Sequence, residues 1–226
     1  MRVLVGITGA SGAVYGTRTT ALLAASGAEV QLLVSPTAWG IVEAELPGPP
    51  LPERFEEREG WLAVRGGWVG GAVRLRRFDD FTIPFASGSN PPDAVIVAPC
   101  SMGTAGRIAA GVSSSVLERC ADVALKERTR LVLVPRETPL SQIHLENLLR
   151  LSRAGAEIVP ASPGFYHRPA TVRDLVDFVV SRILARAGLR VELHAPWGEE
   201  NPPREAPSGA AAHASPGKAR GSGRKR

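Results

Sequence analysis

The sequence predicts an α/β protein built on an open, parallel sheet with helices on both faces. Continuous apolar runs rich in β-branched residues at 2–7, 29–34 and 93–98 are typical of strands buried on both sides. A segment of helical composition follows each run, and a glycine loop joins the first strand to the first helix. This alternation, in 226 residues, fits one doubly wound domain with a surplus at the C-terminus.

The remaining elements continue the same alternation. The predicted helices are 13–26, 37–45, 101–110, 114–127, 140–154 and 171–187, and two further strands are predicted at 131–134 and 157–159. Gly155 is placed to end the fifth helix. Residues 46–92 interrupt the pattern with many Pro and Gly residues and two short runs, 61–65 and 72–78, so we expect an irregular excursion with one hairpin.

Two parts are expected along the chain, a domain at 1–189 and a C-terminal extension at 190–226. The extension is rich in Pro, Gly, Ala, Ser and basic residues, a composition that predicts disorder from about 199. Six basic and three acidic residues lie in 199–226, so more than half of the +5 net charge belongs to this tail. The basic pI therefore does not indicate a nucleic-acid-binding domain. Trp197 is a candidate for a lid over the site.

Cysteine usage and hydropathy indicate a soluble protein of a reducing compartment. Cys100 and Cys120 form no CxxC pair, and no apolar run approaches the roughly 18 residues of a membrane span. The N-terminus lacks the long apolar segment of a signal peptide. We therefore expect a cytoplasmic protein without membrane contact. The four His residues are too scattered for a metal site, and a GxSxG elbow is absent from the sequence.

The glycine loop at 6–16, GITGASGAVYG, predicts an anion site. Backbone N–H groups at the start of a helix attract anions, and Ser11 adds a hydroxyl donor. The spacing is neither GxGxxG nor GxxxxGK[ST], so a monophosphate such as that of FMN suits the loop better than a dinucleotide or a triphosphate. The alternative is that Ser11 merely caps the first helix.

Several further segments match one family. They are ASGS at 86–89, APCSMGT at 98–104, the charged helix residues Arg119, Asp122 and 125–127, VPRETPL at 134–140 and PGFYHRP at 163–169. With the glycine loop, these segments resemble the UbiX-type flavin prenyltransferases over about residues 1–189. The RETPL and FYHRP segments, in this order, are more specific than a glycine loop. Residues 46–85 match the family poorly in detail.

This resemblance implies a flavodoxin-like fold, usually assembled as a dodecamer. The family joins the dimethylallyl group of dimethylallyl monophosphate to N5 and C6 of reduced FMN, without a metal. The product, prenylated FMN, is the cofactor of a UbiD-type decarboxylase. The site lies between subunits in this family, so Arg119 is expected to come from a neighbouring chain.

The resemblance also carries site residues onto this sequence. The implied FMN contacts are Gly9, Ala10, Ser11, Ser35, Ser101, Met102, Gly103, Thr104 and Arg136. The implied contacts to the prenyl donor are Tyr166, Arg182, Lys126, Arg119 and Ser87. The residues associated with the chemistry are Glu137, Glu45 and Ser11.

The reaction gives these residue types a physical reason. A departing phosphate needs positive charge and hydrogen-bond donors, and bond formation at C6 needs a base to take a proton. Glu137, beside Arg136, is the first candidate for that base. Each residue also has a structural alternative: Arg119 and Lys126 on a solvated helix face, Tyr166 in the core, and Arg182 on the polar side of the last helix.

Two other functions are compatible with a flavin-binding loop. One is a flavin-dependent cysteine decarboxylase of the same superfamily, which by resemblance carries an Asn in the third-strand loop and an early His. Here that loop reads PCSMGT and the first His is His144, which disfavours it. The other is a non-catalytic FMN-binding subunit of a decarboxylase, which would not need Lys126, Tyr166 and Arg182 together.

Overall fold

The computed structural model describes residues 1–69 and 71–194, and within them a six-stranded parallel sheet carries helices on both faces. The strands are β1 Arg2–Ile7, β2 Glu29–Val34, β3 Val73–Arg76, β4 Ala94–Cys100, β5 Arg130–Pro135 and β6 Glu157–Ile158. The helices are α1 Ala13–Ala25, α2 Ala38–Glu45, α3 Arg58–Gly66, α4 Met102–Ala109, α5 Val116–Glu127, α6 Gln142–Arg153 and α7 Val172–Ala187. The predicted α/β fold, flavodoxin-like and open-sheeted, is confirmed.

The strand order is β3-β2-β1-β4-β5-β6, and each neighbouring pair is parallel. The chain moves outward in one direction from β1 to β3 and in the other from β4 to β6. The loops that follow β1 and β4 therefore leave the sheet on opposite sides and open a crevice between them. In open α/β sheets this point, at the carboxyl ends of the strands, is where ligands bind.

Alternating side chains of the strands build two cores. Val3, Val5 and Ile7 of β1 belong to the core covered by α1 and α7, while Leu4 points into the core covered by α4, α5 and α6. Period-two alternation makes both strand faces apolar, which is why the strands read as unbroken hydrophobic runs. The two sides of the sheet therefore present different helices to the rim of the crevice.

The prediction of a hairpin within 46–92 is wrong. The run at 61–65 lies in α3, which buries Trp61 and Leu62, and the run at 72–78 contains β3, which pairs parallel to β2. A parallel neighbour cannot be reached by a tight turn and needs a crossover, which α3 supplies. The Glu59 carboxylate accepts a hydrogen bond from the Leu75 backbone N–H at 2.8 Å and ties this crossover to the strand.

The other predicted elements differ from the structure by no more than three residues at an end. Two predicted helix starts lie at or just before capping residues: Ser115 and Thr171 each cap a helix through a capping box. In the described part of the chain, none of the helices is long and apolar enough to cross a membrane. The predicted disorder from 199 and the role of Trp197 lie outside the described residues, and the domain boundary at 189 stays a prediction.

Candidate active site

A threonine holds the two loops of the crevice together. The Thr8 hydroxyl, directly after β1, donates to the Pro99 carbonyl at 2.9 Å and accepts from the Ser101 backbone N–H at 2.8 Å. Thr8 is 1% exposed, so these bonds are shielded from water. They fix the relative position of the glycine loop and the start of α4.

Glycines let α1 and its loop lie close to the sheet. A Cβ on Gly16 would overlap the Ala98 carbonyl oxygen, and one on Gly9 would come within 2.6 Å of the Thr37 hydroxyl. Gly12 has a φ of +109°, in the left-handed region that favours glycine. The loop therefore depends on these positions for its shape.

A carboxylate occupies the N-terminus of α1. Glu45, at the end of α2, accepts from the Gly12 backbone N–H at 3.0 and 2.9 Å and from the Ala13 N–H at 2.7 Å. Gly12 is the N-cap and has no side-chain cap, so Ser11 does not cap the helix as the alternative interpretation held. The loop holds an anion here, which fits the phosphate of a flavin mononucleotide.

The start of α4 adds hydroxyl groups to the same crevice. Ser101 caps α4, accepting from the Thr104 backbone N–H at 3.3 Å, and its oxygen lies 3.0 Å from the Thr104 hydroxyl. Ser35, after β2, lies 3.2 Å from the Thr37 hydroxyl. The structure thus gathers eight of the nine implied FMN contacts at the ends of β1, β2 and β4: Gly9, Ala10, Ser11, Ser35, Ser101, Met102, Gly103 and Thr104.

The ninth implied contact, Arg136, reaches the glycine loop from the end of β5. Its Nε donates to the Ser11 carbonyl at 3.0 Å. Glu137 is the next residue, exposed, with its carboxylate accepting from the Thr138 backbone N–H at 3.1 Å. A cation and a carboxylate therefore stand side by side at the mouth of the crevice.

Tyr166 and Arg182 form a second polar pair. The Arg182 guanidinium donates to the Tyr166 hydroxyl at 3.5 Å and lies 5.5 Å from the centre of the Phe178 ring, which Tyr166 meets edge-on at 5.7 Å. Tyr166 is 38% exposed, so the alternative of a core tyrosine is wrong. A phenol and a guanidinium held by an aromatic ring offer the donors and the positive charge that suit a phosphate.

Arg119, Lys126 and Ser87 lie on the other side of the sheet. Arg119 donates to the Ala86 carbonyl at 3.0 Å and pairs with Asp122 at 2.7 Å. Lys126 pairs with Glu127, and Gly88, next to Ser87, leaves no room for a Cβ beside that pair.

Because α5 covers the second core and α7 the first, one chain does not bring this group to Tyr166 and Arg182. The local ion pairs leave the alternative of a solvated charged face open.

The sequence interpretation missed three residues that shape the site. Thr8 and Thr37 hold the loops after β1 and β2, and Phe178 supports the Tyr166–Arg182 pair. Thr8 and Thr37 could have been noticed, since each stands within two residues of an implied contact. Phe178 lies within the apolar spacing of α7, where core and site positions look alike.

The two thiols are unsuited to nucleophilic chemistry. Burial raises the pKa of Cys100 and that of Cys120 to about 12. Both side chains are fully buried, so each behaves as a small apolar residue.

Comparison with known proteins identifies the family. The Flavoprotein family matches residues 1–184. The flavin prenyltransferase UbiX of Pseudomonas aeruginosa is 46% identical over 200 residues, covering 88% of this chain and 95% of that protein. The corresponding enzyme of Halalkalibacterium halodurans is 47% identical over 196 residues, covering 87% and 93%.

Solved structures agree with these relatives. A dodecameric FMN-dependent UbiX-like decarboxylase from Escherichia coli O157:H7 is 39% identical, with a TM-score of 0.75 over 88% of this chain and 100% of that one. AnUbiX (PadA1), in complex with FMN and dimethylallyl pyrophosphate, is 35% identical, with a TM-score of 0.75 over 88% and 97%. The cysteine decarboxylase TvaF, 16% identical with a TM-score of 0.52, shares the fold alone.

The fold and the site define a flavoprotein, and the chain belongs to that family, among its flavin prenyltransferases of the UbiX type. The resemblance stated from the sequence motifs is thereby confirmed, as is the class of enzyme, a transferase.

Proposed function

We propose that this protein joins the dimethylallyl group of dimethylallyl monophosphate to N5 and C6 of reduced FMN. The observation that carries the proposal is that one chain presents two separate groups of donors suited to anions. One is the glycine loop with Arg136, and the other is the Tyr166–Arg182 pair. A transferase acting on FMN and a prenyl phosphate needs both.

FMN is the flavin, and the first anion site holds its phosphate. The residues of this chain bind it through the backbone N–H groups of the loop, the hydroxyls of Ser35 and Ser101, and Arg136. Glycine at 9 and 12 lets the backbone approach an anion closely. When bound, FMN supplies the nucleophilic ring atoms that accept the prenyl group.

The second anion site orients the prenyl donor. Arg182 and Tyr166 offer donors whose hydrogen bonds strengthen as negative charge develops on the departing phosphate. Arg119, Lys126 and Ser87 complete this site from a neighbouring subunit. The support is twofold: these residues lie across the sheet within one chain, and a solved relative is a dodecamer. We therefore propose a homo-oligomer, in the form of a dodecamer.

Glu137 is the proposed base for the proton lost from C6, with Glu45 and Ser11 at the glycine loop. Glu137 is exposed at the crevice mouth and adjacent to Arg136, which supports its proposed role as a proton acceptor. The product is proposed to serve a UbiD-type decarboxylase, and the protein to act in the cytoplasm.

The direct experiment is anaerobic incubation of the protein with reduced FMN and dimethylallyl monophosphate. The mass of the released flavin is then measured. The expected result is a flavin heavier by one isoprenoid unit. Dimethylallyl pyrophosphate, tested in parallel, measures the preference between the two donors. An unmodified flavin, with binding of FMN and of a donor both verified, would sink the proposal.

A further inference from the structure

A buried carboxylate anchors an arginine next to the proposed flavin site. The Glu118 side chain, at the start of α5, is 1% exposed and forms an ion pair with Arg107 of α4. It also accepts from the Ser114 backbone N–H at 2.8 Å, the Ser114 hydroxyl at 2.6 Å and the Ser115 N–H at 3.0 Å. Arg107 is thereby held in one orientation between the two helices.

The free side of Arg107 begins a chain of hydroxyl groups. Its Nη2 lies 3.3 Å from the Thr104 Oγ1, and that oxygen lies 3.0 Å from the Ser101 Oγ. A guanidinium donates only, so the Thr104 oxygen accepts from Arg107, and this favours Thr104 as the donor in its contact with Ser101. The Ser101 oxygen also accepts from the Thr104 backbone N–H at 3.3 Å. With both lone pairs engaged, Ser101 has its own proton left to donate.

Thr8 does not take that proton. Its hydroxyl donates to the Pro99 carbonyl at 2.9 Å and accepts from the Ser101 backbone N–H, not from the Ser101 hydroxyl. With Thr104 as the donor to Ser101, the Ser101 proton is left for an acceptor in the crevice, where the loops of β1 and β4 meet.

We propose that Arg107, fixed by Glu118, is a positioning residue that orders this chain so that the Ser101 hydroxyl donates to the phosphate of bound FMN. The inference rests on the proposed function only in placing the FMN phosphate at Ser101. Arg107 acts through two hydroxyls and is not itself a catalytic residue. This series of hydrogen bonds also links α5 to the start of α4, because Glu118 belongs to α5 and Thr104 to α4.

The test compares FMN with riboflavin, which lacks the phosphate. Flavin fluorescence quenching gives both dissociation constants for the wild type and for Arg107→Met, with the folded state checked by urea unfolding. A net hydrogen bond to a charged group predicts FMN binding weaker by roughly tenfold and riboflavin binding changed by less than about twofold. Arg107→Lys, which keeps a donor, is expected to recover part of the loss.

A double-mutant cycle separates this role from a general structural one. In a Ser101→Ala background, Arg107→Met is expected to leave FMN affinity unchanged, because the residue acts through Ser101. Arg18→Met is the matched control: it removes an ion pair with Asp177 of 2.7 Å, on the α1–α7 side, and should lower stability without changing FMN affinity. Glu118→Gln is a second variant that should reproduce the selective loss if Arg107→Met does not fold.

Equal losses of FMN and riboflavin affinity in Arg107→Met would overturn the inference. So would an undiminished loss of FMN affinity when Arg107→Met is added to the Ser101→Ala background. So would an FMN dissociation constant that Arg107→Met leaves unchanged. Binding is measured without prenyl donor, so the binding test does not depend on activity. A wild type that binds FMN but makes no prenylated product would contradict the proposed function, and the binding test would still decide the present inference.

Discussion

Glu45 occupies backbone groups that the proposed phosphate site would use. Its carboxylate accepts from the Gly12 and Ala13 N–H groups at the start of α1, which is where the proposed phosphate would bind. Because two anions do not share those donors, phosphate binding requires Glu45 to release them. A carboxylate next to bound flavin is then available to the chemistry, in keeping with the role implied for Glu45.

The first prediction concerns Glu45→Ala. Loss of the cap should lower the free energy of unfolding without ligand by about 1 kcal/mol, or about 2–4 °C in Tm. FMN affinity should not fall, because a competitor is removed, while product formation should slow. Glu43→Ala is the control on the same helix, since Glu43 contacts the Leu51 N–H instead. An FMN affinity that drops in Glu45→Ala would contradict the assignment.

The second prediction concerns Glu137→Gln. A base accepts a proton in the reaction but is not needed to hold FMN, so product formation should slow by roughly 10²–10⁴-fold while FMN binding persists. Single-turnover formation of prenylated flavin measures the rate. Glu146→Gln, an exposed position on α6, should leave that rate unchanged. Full activity in Glu137→Gln would remove this residue from the mechanism.

At the residue scale, the sequence predicted contacts that follow strands directly. Ser35 and Ser101 each stand next to a strand end, so the edge of the sheet gathers them. The contact between Glu45 and Gly12 spans 33 positions and depends on how α2 packs, which no local pattern encodes. The link from Glu118 to Arg107 depends in the same way on the packing of α4 against α5.

At the element scale, the N-terminus of α5 depends on an ionised Glu118. Burial acts to raise the pKa of this carboxyl, but hydrogen bonds from Ser114 and Arg107 outweigh it, so the pKa lies below its ordinary value. A depressed folded-state pKa contributes stability at neutral pH that is lost as pH falls through that pKa.

The third prediction follows from the lowered pKa of Glu118. Glu118→Gln should lower the free energy of unfolding by about 1–3 kcal/mol at pH 7, because it removes a buried carboxylate charge that accepts hydrogen bonds from Ser114 and Arg107. The difference from the wild type should shrink as pH falls below the ordinary carboxyl pKa. Urea unfolding at a series of pH values measures it. A difference that stays constant into the acid range would show that the charge of Glu118 is not the cause.

The fourth prediction concerns the seating of α1 on the sheet. Gly16→Ala places a Cβ against the Ala98 carbonyl oxygen and Ile7, so α1 must shift and the free energy of unfolding should fall by about 1–3 kcal/mol. FMN affinity should fall as well, because α1 carries the flavin loop. Gly40→Ala is the matched control: it has no neighbour within 4 Å and should be neutral or stabilising. A Gly16→Ala protein as stable as the wild type would refute this packing.

The excursion shows where reading elements from sequence failed. The runs at 61–65 and 72–78 were recognised, but their short lengths and the Pro and Gly residues around them suggested a hairpin. The structure uses them as the crossover helix and the edge strand of a parallel sheet. Pairing of β3 with β2 joins segments about 40 residues apart, so only tertiary packing decides it.

At the scale of the whole molecule, the sheet separates the two groups expected to bind the prenyl donor. Tyr166 and Arg182 lie with α7 on one face, and Arg119 and Lys126 lie with α5 on the other. The fold class and the family were predictable from strand patterns and motifs. The resemblance implied that Arg119 comes from a neighbouring chain, but the sequence patterns do not show which helices cover which side of the sheet. The proposed donor site therefore draws on two copies of the chain.

The most direct test of this account is complementation between inactive variants. Lys126→Ala and Tyr166→Phe, co-expressed with different tags and purified together, should form mixed oligomers that make prenylated FMN, although each variant alone does not. Tyr166→Phe with Arg182→Ala is the control, because these residues touch within one chain and no mixed site has both intact. Activity restored in the first mixture but not in the second is the predicted result. A first mixture as inactive as its parents, under conditions in which the wild type is active, would contradict a site shared between subunits.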